Sequence, residues 1–300
     1  MLGWLRHLAT VFAAVLLVAV AYGTVHAAEK TILFRVDGKS VVGTLETPDN
    51  ATGPAPVVLM LHGFTGSRDE LPVKDTDEGV FARTARQLAE NGYASLRIDF
   101  RGSGESQGAW EDTTFSGQIA DAVAAIDWLK NSRDVDGDNI SILGWSQGGL
   151  IAAHAAAERP EVKSVVLWAP VTNPLATYTG LLGSDTVMKA IAGEPETPHT
   201  VKLPWGVDTT LKGAFYQELP VTSPAAAISA YEGPLMVIVG TKDTLVVPQP
   251  AAGQVLLNYH PGKQQLVVFE TDHVWDAFSG PVTLDGQMIP TTLKWLEENR

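Results

Sequence analysis

The sequence predicts an α/β architecture: a mostly parallel sheet of eight strands with helices on both faces, led by an antiparallel hairpin. Three observations carry this. From residue 57 onward, short apolar runs alternate with stretches of helical periodicity, the pattern of repeated β-α-β units. Val57-Val58-Leu59-Met60-Leu61 is continuously apolar rather than alternating, as expected of a strand buried on both faces of a parallel sheet. Finally, Gly144-Trp145-Ser146-Gln147-Gly148-Gly149 lies between an apolar run and an alanine-rich one, so a tight turn joins a strand directly to a helix.

The elements follow in order. Thr31 to Val36 and Ser40 to Glu46 are β-rich runs joined at Asp37-Gly38, a dipeptide that favours the type I′ turn of a tight hairpin. Pro48 to Pro56 is a turn-rich loop, and the Val57 to Leu61 strand runs into His62-Gly63-Phe64-Thr65-Gly66. Phe81 to Asn91 places Phe81, Ala85, Leu88 and Ala89 on one helical face, with Gly92 just beyond its end. Tyr93 to Phe100 reads as the next strand. Phe115 to Lys130 carries Phe115, Ile119, Val123, Ile126 and Leu129 at helical spacing. Ile140 to Leu143 is a strand, Leu150 to Glu158 a helix stopped before Pro160, and Val162 to Trp168 a sixth strand. Leu235 to Gly240 and Leu266 to Glu270 complete the strands, with a helix over Gln249 to Tyr259 between them. Pro290 pre-sets the start of a closing helix.

One stretch breaks the rhythm. Val171 to Glu232 is too long for an ordinary connection and carries scattered prolines and large apolar groups, among them Tyr178, Leu181, Trp205, Phe215 and Tyr216. So apolar an insertion must pack on something. The expectation is a lid or cap over a site, placed after the sixth strand, the alternative being a packing excursion with no contact to ligand.

Composition narrows the function classes. Apolar content of 45% across 300 residues gives a sizeable core. The net charge of −13 weighs against nucleic acid and anionic membrane surfaces, which need basic patches. Residues 1–27 read as a signal peptide: Arg6 and His7 precede an apolar run from Leu8 to Ala21, and Val25-His26-Ala27 offers small residues at a cleavage site. An uncleaved N-terminal anchor is the alternative. The expected mature chain is a single domain over 28–300, secreted or periplasmic, with 171–232 as its cap and no membrane partner after cleavage. Cysteine is absent, so neither disulfides nor a lipid-modified cysteine can contribute.

The chemistry-bearing residues fall at strand ends. The glycines around Ser146 suit a serine thrown out at the top of a strained turn. A serine hydroxyl is a weak nucleophile at neutral pH; it needs a base, and the base needs an orienting acid. Asp243 lies just past the Leu235 to Gly240 strand, and His273 just past the Leu266 to Glu270 strand. Catalytic groups of open α/β sheets gather outside such carboxyl ends. Asp272 adjoins His273 and is the competing acid, but neighbours on a loop usually point apart.

From Val57 to its C-terminus the chain resembles the serine esterases of the α/β-hydrolase superfamily. The matching stretches are LHGFTGS (61–67), DFRGSGES (99–106), GWSQGG (144–149), GTKDTLVVP (240–248) and TDHVW (271–275). The HGFTG wording, the S-Q-G elbow and the insertion after Trp168 are most similar to the bacterial feruloyl (cinnamoyl) esterase branch. Trp145 departs from that branch, which more often has His before the serine. The resemblance implies the α/β-hydrolase fold and an acyl-enzyme mechanism, with Ser146 as nucleophile, His273 as general base then acid, and Asp243 as its orienting carboxylate. It also implies an oxyanion hole made by the backbone N–H groups of Phe64 and Gln147. Physics agrees, because developing negative charge needs fixed donors and each is worth ~3 kcal/mol. Trp205, Phe215 and Tyr216 are candidates either to stack on an aromatic substrate or to form the insertion's own core.

Other candidates read as structural. Asp99, Arg101, Gly102 and Gly104 fit a loop brace, and His62 a hydrogen-bonded residue behind the oxyanion loop. His154 and His199 fit ordinary solvated or satisfied positions. Asp134, Asp136 and Asp138 resemble half a calcium loop, but the glycine comes too early and position twelve is Trp145. No helical HExxH and no Cys/His cluster points to zinc. The expected activity is hydrolysis of small aryl (feruloyl or cinnamoyl) or short-chain alkyl esters, with no metal or organic cofactor. A serine peptidase of the same fold and a non-catalytic binding protein are the alternatives.

Overall fold

The structure, a computed structural model, describes residues 28–49 and 51–300; the signal-peptide reading lies outside the described residues. Among the described residues ten strands form two sheets. The hairpin is built from β1 (Ala28–Val36) and β2 (Lys39–Thr47). Its turn residues Asp37 and Gly38 both have positive φ, 48° and 78°, as a type I′ turn demands. The main sheet continues with β3 (Ala55–Leu61), β4 (Ala94–Asp99), β5 (Val135–Trp145) and β6 (Ser164–Trp168). A two-stranded sheet, β7 (Pro198–Lys202) and β8 (Asp208–Lys212), lies inside the insertion. The main sheet then closes with β9 (Leu235–Gly240) and β10 (Gln264–Phe269). Its order is β1-β2-β4-β3-β5-β6-β9-β10. Every pairing from β4 to β10 is parallel, while β2 runs antiparallel to both neighbours. This is the expected eight-stranded sheet.

Helices cover both faces because the central strands are apolar on both sides. Val57, Leu59 and Leu61 join one core cluster while Val58 and Met60 join the other, as alternation of side chains requires. One cluster takes in α2 (Phe115–Asn131), α3 (Gln147–Glu158) and α8 (Ala251–Tyr259); the other takes in α1 (Val80–Glu90) and the closing α9 (Ile289–Glu298). The predicted face of α1 is the buried one.

Helix α2 corrects an expectation. Phe115, Ile126 and Leu129 are buried, but Ile119 and Val123 are only partly so; Gln118, Asp121, Ala122 and Ala125 take the inner face. Asp121 earns its place through Arg101, whose Nε–H donates to Oδ1 at 2.7 Å and whose backbone N–H donates to Oδ2 at 2.9 Å. A polar residue with a satisfied partner can be buried where hydropathy predicts solvent.

The 171–232 stretch is built rather than loose. It comprises α4 (Pro174–Leu182), α5 (Ser184–Ile191), the β7–β8 hairpin, α6 (Gly213–Glu218) and α7 (Pro224–Ile228). Asn173 and Ser223 cap α4 and α7 by accepting backbone N–H groups, and proline occupies the first turn of each. Tyr178, Phe215 and Tyr216 are fully buried in the core that this stretch shares with the sheet.

Candidate active site

Ser146 stands alone between β5 and α3, with φ 55° and ψ −114°. A non-glycine residue there carries strain of order 1–3 kcal/mol and persists only where its surroundings over-determine it. They do. Its N–H donates to Trp168 O at 2.8 Å, and its carbonyl accepts from Gly149 and Val171, both at 3.0 Å. Gly148 permits the approach of the helix start to β3, since a Cβ there would lie 1.9 Å from Leu61 O.

The parallel order β5-β6-β9-β10 brings three carboxyl ends to one edge. Asp243 follows β9 and His273 follows β10, and the two meet: His273 Nδ1–H donates to Asp243 Oδ2 at 2.7 Å, both residues being buried. The other carboxylate oxygen of Asp243 accepts the Leu245 and Val246 N–H groups at 2.8 and 3.0 Å, which fixes its aim. Asp272 is turned away. Its Oδ1 accepts the backbone N–H groups of Val274 and Asp276 at 3.0 and 2.9 Å, a local turn that keeps it from the imidazole.

With Nδ1 engaged, Nε2 is the His273 nitrogen left for the cavity that this residue and Ser146 both line. Among the described residues the Ser146 hydroxyl and the imidazole share no hydrogen bond; such contacts commonly tighten only when substrate binds. The cavity encloses about 240 Å³ and is chiefly apolar, with Leu71, Val171, Leu181, Leu245, Val246 and Phe278 in its wall.

Of the two expected oxyanion donors, Phe64 lines this space and Gln147 directly follows Ser146, which also lines it. Gln147 is the first residue of α3, so its N–H has no intrahelical partner. The Phe64 N–H is aimed by its own peptide plane. The Gly63 carbonyl accepts from His62 Nδ1–H at 2.8 Å and from Gly66 N–H at 3.1 Å, and in a planar trans peptide the Phe64 N–H points the opposite way. His62 is locked in turn, because its Nε2 accepts the Phe100 N–H at 3.2 Å and Nδ1 must therefore carry the proton. Burial pushes its imidazole down to about 4, keeping it neutral. The Asp99 brace holds as well, accepting backbone N–H groups of Arg68 and Glu105 at 2.7 and 2.9 Å, although Arg101 pairs with Asp121 and Asp37 instead.

The aromatic candidates divide. Trp205 lines the cavity, at 47% exposure on its rim. Phe215 and Tyr216 do not line it; both are fully buried. Phe215 packs on Phe64, Phe115 and Tyr178, with ring centroids 6.1, 5.0 and 5.0 Å away. A large aromatic group in an insertion gains more from complete burial than from half-lining a pocket. His154 and His199 also depart from expectation, each having a buried Nε2 with no partner among the described residues.

Three residues of the site escaped the motifs. Tyr178, on α4, donates its hydroxyl to Gln147 Oε1, and Gln147 Nε2–H donates to Gln118 Oε1 at 2.5 Å. The insertion therefore grips the residue after Ser146 directly. Glu70 also faces the cavity. The only trace of it in the sequence is a carboxylate four residues past Gly66, within a charged turn that reads as solvated.

The family profile for the α/β-hydrolase fold matches residues 56–193. The ferulic-acid-bound Est1E of Butyrivibrio proteoclasticus superposes with a TM-score of 0.68 at 25% identity, over 89% of this chain and 96% of that one. The chain has the α/β-hydrolase fold. The chain is also 36% identical over 129 residues to an uncharacterized protein of Rickettsia prowazekii (strain Madrid E), covering 43% of this chain and 51% of that protein. An acylamino-acid-releasing enzyme of Arabidopsis thaliana is 27% identical over 197 residues, 64% of this chain and 23% of that one. The chain thus spans about half or less of the length of these curated relatives.

Proposed function

We propose that the protein is a serine carboxylic ester hydrolase working through an acyl-enzyme. The observation that carries this reading is the 2.7 Å bond from His273 to Asp243 in a cavity that Ser146 also lines from a strained turn. His273 Nε2 takes the Ser146 proton as Oγ attacks the ester carbonyl, and Asp243 stabilises the imidazolium. The oxyanion is received by the Phe64 and Gln147 N–H groups. As the C–O bond breaks, the imidazolium gives its proton to the departing alkoxide. Water then repeats the sequence on the acyl-enzyme, releasing the carboxylic acid and restoring the Ser146 hydroxyl.

A cavity of about 240 Å³ with apolar walls suits a compact acyl group, being smaller than most pockets for drug-sized ligands, which start at roughly 300 Å³. Likeness to a protein solved with ferulic acid supports aryl esters of the feruloyl or cinnamoyl type, alongside short-chain alkyl esters. The α4–α7 insertion then acts as the cap that sets acyl preference. Hydrolysis of aryl and alkyl esters of graded acyl length, compared between the wild type and Ser146→Ala, tests the reading. Loss of nearly all activity in the variant is expected; retention would refute the assignment.

The similarity to an acylamino-acid-releasing enzyme favours a second reading, a peptidase of the same fold. Amide turnover rivalling ester turnover on matched acyl groups would establish it. Export rests on residues 1–27, and N-terminal sequencing of protein recovered outside the cytoplasm tests it.

A further inference from the structure

Glu70 ends the turn Ser67-Arg68-Asp69-Glu70 with φ 63°, a left-handed conformation that a non-glycine residue adopts only under constraint. Its charged neighbours turn to other partners. Arg68 pairs with Asp99 and Glu105, and Asp69 lies 3.3 Å from Arg97. Glu70 turns inward, to the cavity shared by Ser146 and His273, and there its Oε1 accepts the Gly63 N–H. A Cβ built on Gly63 would lie 3.3 Å from that oxygen and 3.4 Å from Ser146 Cβ; one on Gly66 would lie 2.8 Å from it. The loop from Gly63 to Gly66 is therefore folded around this carboxyl group, beside the proposed nucleophile.

We propose that Glu70 is the positioning residue of the oxyanion loop: it holds the Gly63 N–H, so that the next amide, Phe64 N–H, stays aimed at the reacting oxygen. The inference rests on the ester-hydrolase reading and adds to it. Gly63 has no side chain to restrain its dihedrals, so its orientation depends on what its two peptide groups bond to. His62 and Gly66 hold its carbonyl, and among the described residues Glu70 supplies the side-chain acceptor for its N–H. Without Glu70 the peptide before Gly63 loses this anchor, and the two bonds to the Gly63 carbonyl are left to aim the Phe64 donor. His273 is the other acid–base group of the cavity wall besides the Tyr178 phenol, which is engaged by Gln147. Among the described residues no cation faces the carboxyl group, which is held there by backbone amides; burial pushes it up to about 7.

The test combines kinetics with an observable that needs no turnover. Glu70→Ala should lower kcat about 10- to 100-fold with KM within about 3-fold, because a misdirected oxyanion donor weakens the transition state rather than substrate binding. Glu70→Gln, which keeps an acceptor in place, should recover most of that loss. In amide NMR spectra of the wild type, the Gly63 proton should resonate far downfield and move with pH in step with Glu70, and this titration should vanish in Glu70→Gln. An active wild type with unchanged kcat in Glu70→Ala overturns the inference, as does a Gly63 amide indifferent to Glu70. Should the wild type hydrolyse no ester, the functional reading fails. The Gly63 titration, measurable even if Glu70→Ala does not fold, then still judges the placement.

Discussion

Trp145 donates its indole N–H to the main-chain carbonyl of His273 at 3.2 Å, and the two rings lie 6.3 Å apart. The residue before the proposed nucleophile thus holds the loop that carries the proposed base. Trp145→Phe keeps a ring in the pocket wall and leaves the His273 carbonyl without its donor. Loss of a buried hydrogen bond should cost about 1–3 kcal/mol of stability, read by thermal or denaturant unfolding. kcat should fall up to ~10-fold as the imidazole loses its anchor.

The two aspartates near His273 can be separated by paired substitutions. Asp243→Asn removes the carboxylate that orients and stabilises the imidazolium, and kcat should drop by about 10³–10⁴. Asp272→Asn retains an oxygen for the Val274 and Asp276 N–H groups, so kcat should stay within about 3-fold. A steeper loss for Asp272→Asn in steady-state assays would reassign the acid.

Trp205 and Phe215, both in the insertion, should fail in different ways. Phe215→Ala opens a void in a closed aromatic cluster and should cost about 3–5 kcal/mol, seen as a large drop in melting temperature. Trp205→Ala, on the cavity rim, should change stability by less than about 1 kcal/mol. Its effect should appear in KM, raised several-fold for aryl esters and little for acetyl esters.

The Glu70 carboxyl, raised from 4.5 to about 7 by burial, binds its proton more tightly in the folded than in the unfolded chain. Its stabilising contribution is full below pH 4.5 and is lost as pH rises through 7. His62, pushed down to about 4, acts in the opposite sense between pH 4 and 6.5, and Glu46, also raised to about 7, acts in the same sense as Glu70. The useful quantity is therefore the difference between Glu70→Gln and wild type. That difference should grow in the variant's favour by about 2 kcal/mol from pH 5 to pH 8, measured by urea unfolding at each pH. A constant difference would show that the carboxyl does not titrate in this window.

Local pattern determined a great deal here. Continuous apolar runs marked the buried strands, Asp37-Gly38 marked the hairpin, and the glycines about Ser146 marked the turn, because each depends on residues adjacent in the chain. The placement of Asp243 and His273 past strand ends was legible for the same reason. Which aspartate meets the imidazole was decided by the turn at Asp272 and the amides at Leu245 and Val246. Tertiary packing alone put Gln118 and Asp121 inward on α2, sent Phe215 and Tyr216 into the core, and folded the Gly63–Gly66 loop around Glu70. A polar side chain is buried only when a distant partner satisfies it, and hydropathy along the chain does not record that partner.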